Sequence, residues 1–283
     1  MANLRLEWGR WRLDLGTRPH LMGVINVTPD SFSDGGDFYS CESAVEQGLR
    51  LVAEGADILD IGGESTRPGA ELLSLKDELA RVLPVIEALS EKVDLPLSID
   101  TYKSKVAEAA LKAGAAMIND ISAGRFDYKI LHLAAEVGVP LILMHMQGEP
   151  RHMQNNPTYG DLMGEIKYFL AQAVQRAEKA GVAGEKIIID PGIGFGKTFD
   201  HNLTLINRLK ELTELGRPIM IGPSRKAFLG HILGGAPPKE RDSATAAAVT
   251  LAVYNGADIV RVHNVGLAKQ ALAVVQAVMN EHV

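Results

Sequence analysis

The sequence predicts a single (β/α)8 barrel spanning residues 1–283, with a small β-hairpin at its N-terminus. Three observations carry this reading. Short apolar runs of strand length alternate with segments of helical spacing, and the chain holds eight such runs. A glycine helix stop leading straight into an apolar run recurs as Gly55-Ala56-Asp57-Ile58-Leu59-Asp60-Ile61, Gly114-Ala115-Ala116-Met117-Ile118-Asn119-Asp120 and Gly256-Ala257-Asp258-Ile259-Val260-Arg261-Val262. Each apolar run ends in polar or Gly-rich sequence. Alternating strand and helix implies parallel strands joined by crossover helices, and eight units in about 250 residues suit a closed barrel. An open doubly wound sheet would normally carry a Gly-rich phosphate turn after its first strand. None follows the run 21–27.

In chain order, residues 4–15 alternate apolar and polar and hold both tryptophans, Trp8 and Trp11, which predicts a hairpin around Gly9 plugging one barrel end. The first barrel strand, 21–27, is apolar except for Asn26, and breaks into loop sequence at Thr28-Pro29-Asp30. A helix is expected over 42–54, stopped by Gly55. Between the Gly-Ala repeats lie further strand candidates at 95–99, 140–143, 187–189 and 218–221. Helical patterns cover 77–92, 103–113, 126–137, 161–180, 203–215, 243–255 and 265–281.

Composition narrows the function. Hydrophobic content of 46% with 23% charged residues is that of a soluble globular chain with ample core. A net charge of −6 with no long basic run argues against nucleic-acid binding. The single cysteine, Cys41, cannot form an internal disulfide, and no run approaches the length of a membrane span. A cytoplasmic location is the expectation.

Barrel chemistry sits at the C-terminal strand ends. Here those ends are Asn26, Asp60, Asp100-Thr101, Asn119-Asp120, Met144-His145, Asp190-Pro191, Gly222-Pro223-Ser224 and Arg261-Val262-His263. Any one of them alone reads as a helix cap; eight facing one mouth read as a site. Asp100 and Asp190 end otherwise apolar strands, where a carboxylate can accept paired hydrogen bonds from a planar N–H edge. Asn119 offers that ring both a donor and an acceptor. The loops after strands seven and eight commonly bind phosphate, which points to Lys226 and Arg261, whereas Arg225 reads as a solvated surface charge. Two Gly-rich loops, 28–36 and 62–69, are suited to covering a substrate. The run Asp190-Pro191-Gly192-Ile193-Gly194-Phe195-Gly196-Lys197 lacks the ending of a nucleotide P-loop, so its glycines are read as allowing backbone to approach a flat ligand, with Phe195 as a wall. No His/Cys set has zinc spacing, no Gly-x-Ser-x-Gly elbow occurs, and Lys226 beside Arg225 reads as an anion binder rather than a Schiff-base lysine.

These motifs resemble a known family. Met22-Gly23-Val24-Ile25-Asn26-Val27-Thr28-Pro29-Asp30-Ser31-Phe32-Ser33-Asp34-Gly35-Gly36 and Asp60-Ile61-Gly62-Gly63-Glu64-Ser65-Thr66-Arg67-Pro68-Gly69 look like the two leading signatures of dihydropteroate synthases. Ser98-Ile99-Asp100-Thr101, Ile118-Asn119-Asp120-Ile121, Leu143-Met144-His145-Met146, the 189–197 segment, Ser224-Arg225-Lys226 and Arg261-Val262-His263-Asn264 continue the likeness in family order. The resemblance implies a (β/α)8 enzyme that condenses 6-hydroxymethyl-7,8-dihydropterin diphosphate with 4-aminobenzoate, forming 7,8-dihydropteroate and diphosphate for folate synthesis. It also implies Mg²⁺ as cofactor, a homodimer, and inhibition by sulfonamides.

Carried over by position, Asp100, Asn119 and Asp190 hold the pterin edge, and Met144 and Phe195 line its slot. Lys226 reaches the pterin, while Arg261 covers it and grips the diphosphate with His263. Asp100, Lys226 and Arg261 form the catalytic set. Thr66, Arg67 and Pro68 belong to a loop that completes the site, Gly222 and Val262 add substrate contacts, and Asn26 corresponds to the Mg²⁺-contacting residue. Phe32 and Asp34 are the expected contacts from the first loop. Ala227 departs from the serine of many members in the 4-aminobenzoate pocket. A pterin-dependent methyltransferase barrel would share the Asp/Asn strand ends but has no use for the cation set or a metal-binding Asn26. An inactive pterin-binding paralogue would have lost one of the loops or the cations, and here all are present.

Overall fold

A two-residue turn at Gly9 (φ +52°) and Arg10 starts the architecture, joining antiparallel β1 (Arg5–Trp8) and β2 (Trp11–Asp14). Alternation puts Leu6 opposite Leu13, both buried, as the sequence pattern predicts. The structure is a computed structural model describing residues 4–27, 36–65 and 72–282.

Eight parallel strands follow: β3 (His20–Asn26), β4 (Ile58–Gly62), β5 (Leu97–Asp100), β6 (Met117–Asp120), β7 (Leu141–Met144), β8 (Ile187–Asp190), β9 (Met220–Ile221) and β10 (Ile259–Val262). Each pairs with its chain neighbour from β3 to β8, and β10 joins β9 to β3. A parallel bridge from Ile189 to Ile219 links the remaining edges, so the expected barrel closes. Closure leaves little unpaired backbone and explains why the strands read as unbroken Val/Ile/Leu runs buried on both faces.

The surrounding helices are α1 (Gly36–Glu54), α2 (Leu75–Ser90), α3 (Ser104–Lys112), α4 (Lys129–Val137), α5 (Leu162–Lys179), α6 (Phe199–Asn207), α7 (Ala227–Ile232), α8 (Asp242–Tyr254) and α9 (Val265–Asn280). Most match the expected spans to within a few residues. The exceptions are α1, which begins at Gly36 rather than at 42, and 203–215. There a capping box between Thr198 and His201 starts α6 early, and Leu209–Leu215 winds as a 3₁₀ segment ended by Gly216 in the left-handed region. The Arg208–Glu211 ion pair, at i,i+3, suits that tighter winding. With six residues, α7 is too short to show a helical period and does not stand out in the sequence.

One apolar cluster joins strands, helices and hairpin. A second, small cluster of Ile121, Met144, Met146, Met153 and Phe195 sits apart from it, among residues at or beyond the ends of β6, β7 and β8.

Candidate active site

Strand register assembles the mouth of the barrel. Asn26 pairs with Gly62, Gly62 with Asp100, and Asp100 with Asn119, forming one row across β3 to β6. Met144 pairs with Asp190 on β7 and β8. Successive strand residues face opposite ways, so Asn119 enters the mouth while Asp120 turns aside. Asp120 accepts from Ser122 N, Ser122 Oγ and Gly124 N at 2.6–2.7 Å and holds a turn. It acts as the structural cap that a single strand end suggests.

The resulting cleft has a polar edge of Asp100, Asn119 and Asp190, apolar walls including Ile121, Met144 and Phe195, and the cations Lys226 and Arg261. Gly222 also lines it. Burial raises the Asp100 carboxyl to about 7, against the pull of Arg261, and raises Asp190 to about 6. Burial also lowers the Lys226 ammonium to about 8. Desolvation disfavours the Arg261 charge, but Asp60 and Asp100 outweigh it and hold the guanidinium above its ordinary value.

Arg261 donates from Nε to Asp60 Oδ2 at 2.6 Å and from a terminal nitrogen to Asp100 Oδ2 at 2.8 Å. Lys226 Nζ lies 4.1 Å from the centre of the Phe195 ring, a cation–π contact. Glycine makes that contact possible, since a Cβ on Gly194 would come within 3.0 Å of Lys226 Cδ.

The loop bearing Phe195 is fixed from below. Gly192 N donates to Asp190 Oδ1 (2.7 Å) and Gly194 N to Asn202 Oδ1 (2.7 Å). The buried Lys197 bonds His145 Nδ1 (2.9 Å) and the Phe195 carbonyl (3.0 Å). Burial drives Lys197 down to about 7 and His145 down to about 2, so this imidazole is neutral and accepts from the ammonium. Sequence spacing places His145 at a strand end and Lys197 in the Gly-rich run 190–197, and does not pair them. Their separation of 52 residues conceals a contact that only the barrel creates.

Asn26 ends β3 half-buried, and its amide has no hydrogen-bond partner among the described residues. His263 is half-buried against Ser224, its Nδ1 2.9 Å from Ser224 Oγ. Burial, then the charges of Arg225, Arg261 and Lys226, lower it to about 3, so it enters the site neutral. Val262 is fully buried in the main core and does not line the cleft. Arg225 corrects the sequence reading. It forms a bidentate pair with Asp242 at 2.7 and 2.8 Å, which ties the start of α7 to α8. Thr66, Arg67, Pro68, Phe32 and Asp34 lie outside the described residues. Near the base of that second loop, Lys103 bonds Glu64, Glu78 and the Leu73 carbonyl, a network not foreseen from spacing.

A barrel mouth that lines acceptors along one edge of an apolar slot, with two cations beside it, defines an enzyme for a flat, N–H-rich ring carrying an anionic group. Comparison with known proteins agrees. The family model described as pterin binding enzyme matches residues 22–263. The dihydropteroate synthase of Synechocystis is 51% identical over 272 residues, 96% of this chain and 94% of the relative. The Xanthomonas albilineans dihydropteroate synthase, solved with 4-aminobenzoic acid, superposes with a TM-score of 0.92 at 46% identity, covering 98% of this chain and 99% of that one. The Yersinia pestis enzyme, solved in complex with a sulfonamide drug, gives the same TM-score and coverage at 43% identity. The chain belongs to the dihydropteroate synthase family. It is a transferase of folate biosynthesis.

Proposed function

We propose that this cleft transfers the dihydropterin-methyl group from 6-hydroxymethyl-7,8-dihydropterin diphosphate to 4-aminobenzoate. The observation that carries this reading is the juxtaposition of three acceptors, Asp100, Asn119 and Asp190, with Lys226 and Arg261 around one apolar slot. The acceptors read the N–H edge of the pterin, and Met144 and Phe195 sandwich its faces. Arg261, with His263 as a neutral hydrogen-bonding partner, holds the diphosphate. In the transfer the bond from the methylene carbon to the bridging oxygen breaks and diphosphate leaves with the electron pair. The amine nitrogen then bonds the methylene carbon and loses a proton to solvent. The Asp100 carboxylate stabilises positive charge developing on the pterin, and the cations stabilise the departing anion. No strong base is required, because an aromatic amine is neutral at pH 7.

The donor chemistry suits Mg²⁺. Among the described residues no cluster of three His, Cys, Asp or Glu could cage a metal, while Asn26 presents an uncommitted amide oxygen beside the row of site residues. Mg²⁺ is commonly held by one or two protein oxygens, waters and substrate phosphates, and when bound it neutralises charge on the diphosphate. Thr66, Arg67 and Pro68 complete the 4-aminobenzoate side in this reading, with Ala227 opening α7 next to Lys226. Sulfonamides, which imitate 4-aminobenzoate, inhibit the reaction. The chain works in the cytoplasm as a homodimer, a reading supported by exposed Leu251, Tyr254, Val274 and Val278 on α8 and α9 and by the absence of a membrane-spanning helix among the described residues.

The test is diphosphate release from purified protein supplied with the pterin diphosphate, Mg²⁺ and 4-aminobenzoate, with dihydropteroate identified by mass. Release with product formation is expected. Tight binding of the pterin diphosphate with no release on adding 4-aminobenzoate would instead identify a pterin-binding paralogue without turnover.

A further inference from the structure

We propose that Asp60 is a positioning residue that orients Asn119 and Arg261 together, and so dictates which hydrogen-bonding pattern the cleft accepts. The proposal rests on reading the cleft as a pterin site. Asp60 lies within β4, fully buried, two residues before Gly62 and therefore on the same inward face. Its Oδ2 accepts from Asn119 Nδ2 at 3.0 Å and from Arg261 Nε at 2.6 Å. One oxygen thus joins β4 to β6 and to β10 across the barrel interior.

The consequence for Asn119 follows from the chemistry of the groups. A carboxylate offers no donor, so the amide must turn its NH₂ toward Asp60 and its oxygen away. That oxygen is buried and has no partner among the described residues, while Asn119 itself lines the cleft. An unrestrained amide could rotate and offer either a donor or an acceptor to a ligand. Held by Asp60, it commits one N–H to that carboxylate and keeps its oxygen turned away as an acceptor, in line with Asp100 and Asp190. A ring presenting N–H groups along that edge satisfies all three, and one presenting acceptors leaves buried oxygens unpaired. Arg261 is restrained by the same oxygen, and its terminal nitrogen is directed to Asp100. Asp60 touches neither the cleft nor the reacting atoms, which makes its role one of orientation.

Equilibrium binding of 6-hydroxymethylpterin, followed by calorimetry, tests this on the whole chain. Asp60→Ala is expected to weaken binding by about tenfold or more. Asp60→Asn, whose amide oxygen can still accept both bonds, is expected to stay within about fivefold of the parent. Asn119→Asp should bind poorly, since two carboxylates then face each other. Asp60→Leu, close to the parent in volume, removes both bonds without opening a cavity and should also weaken binding by about tenfold or more. Asp60→Ala binding like the parent overturns the proposal. So does Asp60→Leu binding like the parent, which decides the matter even where Asp60→Ala fails to fold. Failure of the parent protein to bind the pterin would instead overturn the reading of the cleft.

Discussion

Replacing Gly192 by alanine tests whether the Asp190–Lys197 segment is a rigid part of the cleft. Gly192 has φ +70°, where an L side chain costs about 1–2 kcal/mol. Its added Cβ would fall 2.0 Å from the His145 carbonyl oxygen and 3.2 Å from Met144 Cγ. The first contact is with backbone, so loop and strand end must part by roughly 1 Å or more before ordinary packing returns. That movement breaks the Gly192 N to Asp190 Oδ1 bond and shifts both a ring-binding carboxylate and the Phe195 wall. Misplacement of this size near reacting groups costs on the order of 10²-fold in rate. Stability should fall by about 2–4 kcal/mol, lowering the melting temperature by several degrees. Gly216→Ala is the control, because Gly216 has φ +63° but nothing within 4 Å of the new methyl. It should lose about 1 kcal/mol from backbone strain and keep full kcat/KM. Steady-state kinetics and thermal melts of the two variants separate clash from strain. A Gly192→Ala enzyme with unchanged kcat/KM and melting temperature would refute the rigid-loop reasoning.

Two further outcomes follow from the electrostatics. Asp100 and Asp190 titrate at about 7 and about 6 in the free cleft, and N–H donors of a ring bind their ionised forms, so ligand binding releases protons. Pterin affinity should therefore be level above about pH 7, fall by about tenfold between pH 7 and 6 and by about a hundredfold per unit below pH 6, with proton release visible in calorimetry across buffers. Binding that is flat or tightens toward pH 5 would contradict the assignment. Asn26→Ala should raise the Mg²⁺ concentration needed for half-maximal diphosphate release by about tenfold without altering the melting temperature, and an unchanged Mg²⁺ requirement would remove Asn26 from the metal site.

The barrel is legible in the sequence because its signals are local and repeated. Gly55, Gly114 and Gly256, all with positive φ, each end a helix at a fixed distance before a buried strand, and a period written several times survives errors in any one copy. Asp100, Asn119, Asp190, Lys226 and Arg261 are legible for a related reason. Four are polar at the end of an apolar run, Lys226 stands in the loop that follows one, and parallel closure brings all such ends to one rim. Local pattern fails where the deciding contact is distant in sequence. Arg225 looks like a surface charge until Asp242, 17 residues on, folds back against it, and nothing in its neighbours announces that. His263 looks like a cation for diphosphate, yet three nearby positive charges and its burial make it neutral.

Asp60 marks how far strand period alone can reach. It stands with Asp100 and Asp190 as a carboxylate in an apolar run, but two residues before the strand end rather than at it. Counting back by two from Gly62 places it inward, and an inward acid deeper than the rim must meet a donor from another strand to be tolerated. Arg261 is inward on β10 and long enough to reach down, so periodicity and side-chain length together are enough to pair the two. What spacing cannot supply is the third member, because nothing in the local pattern shows that Asn119, 59 residues on, comes within reach of Asp60. Residues at the rim determine what touches the ligand, and the buried acid beneath them determines which way they face.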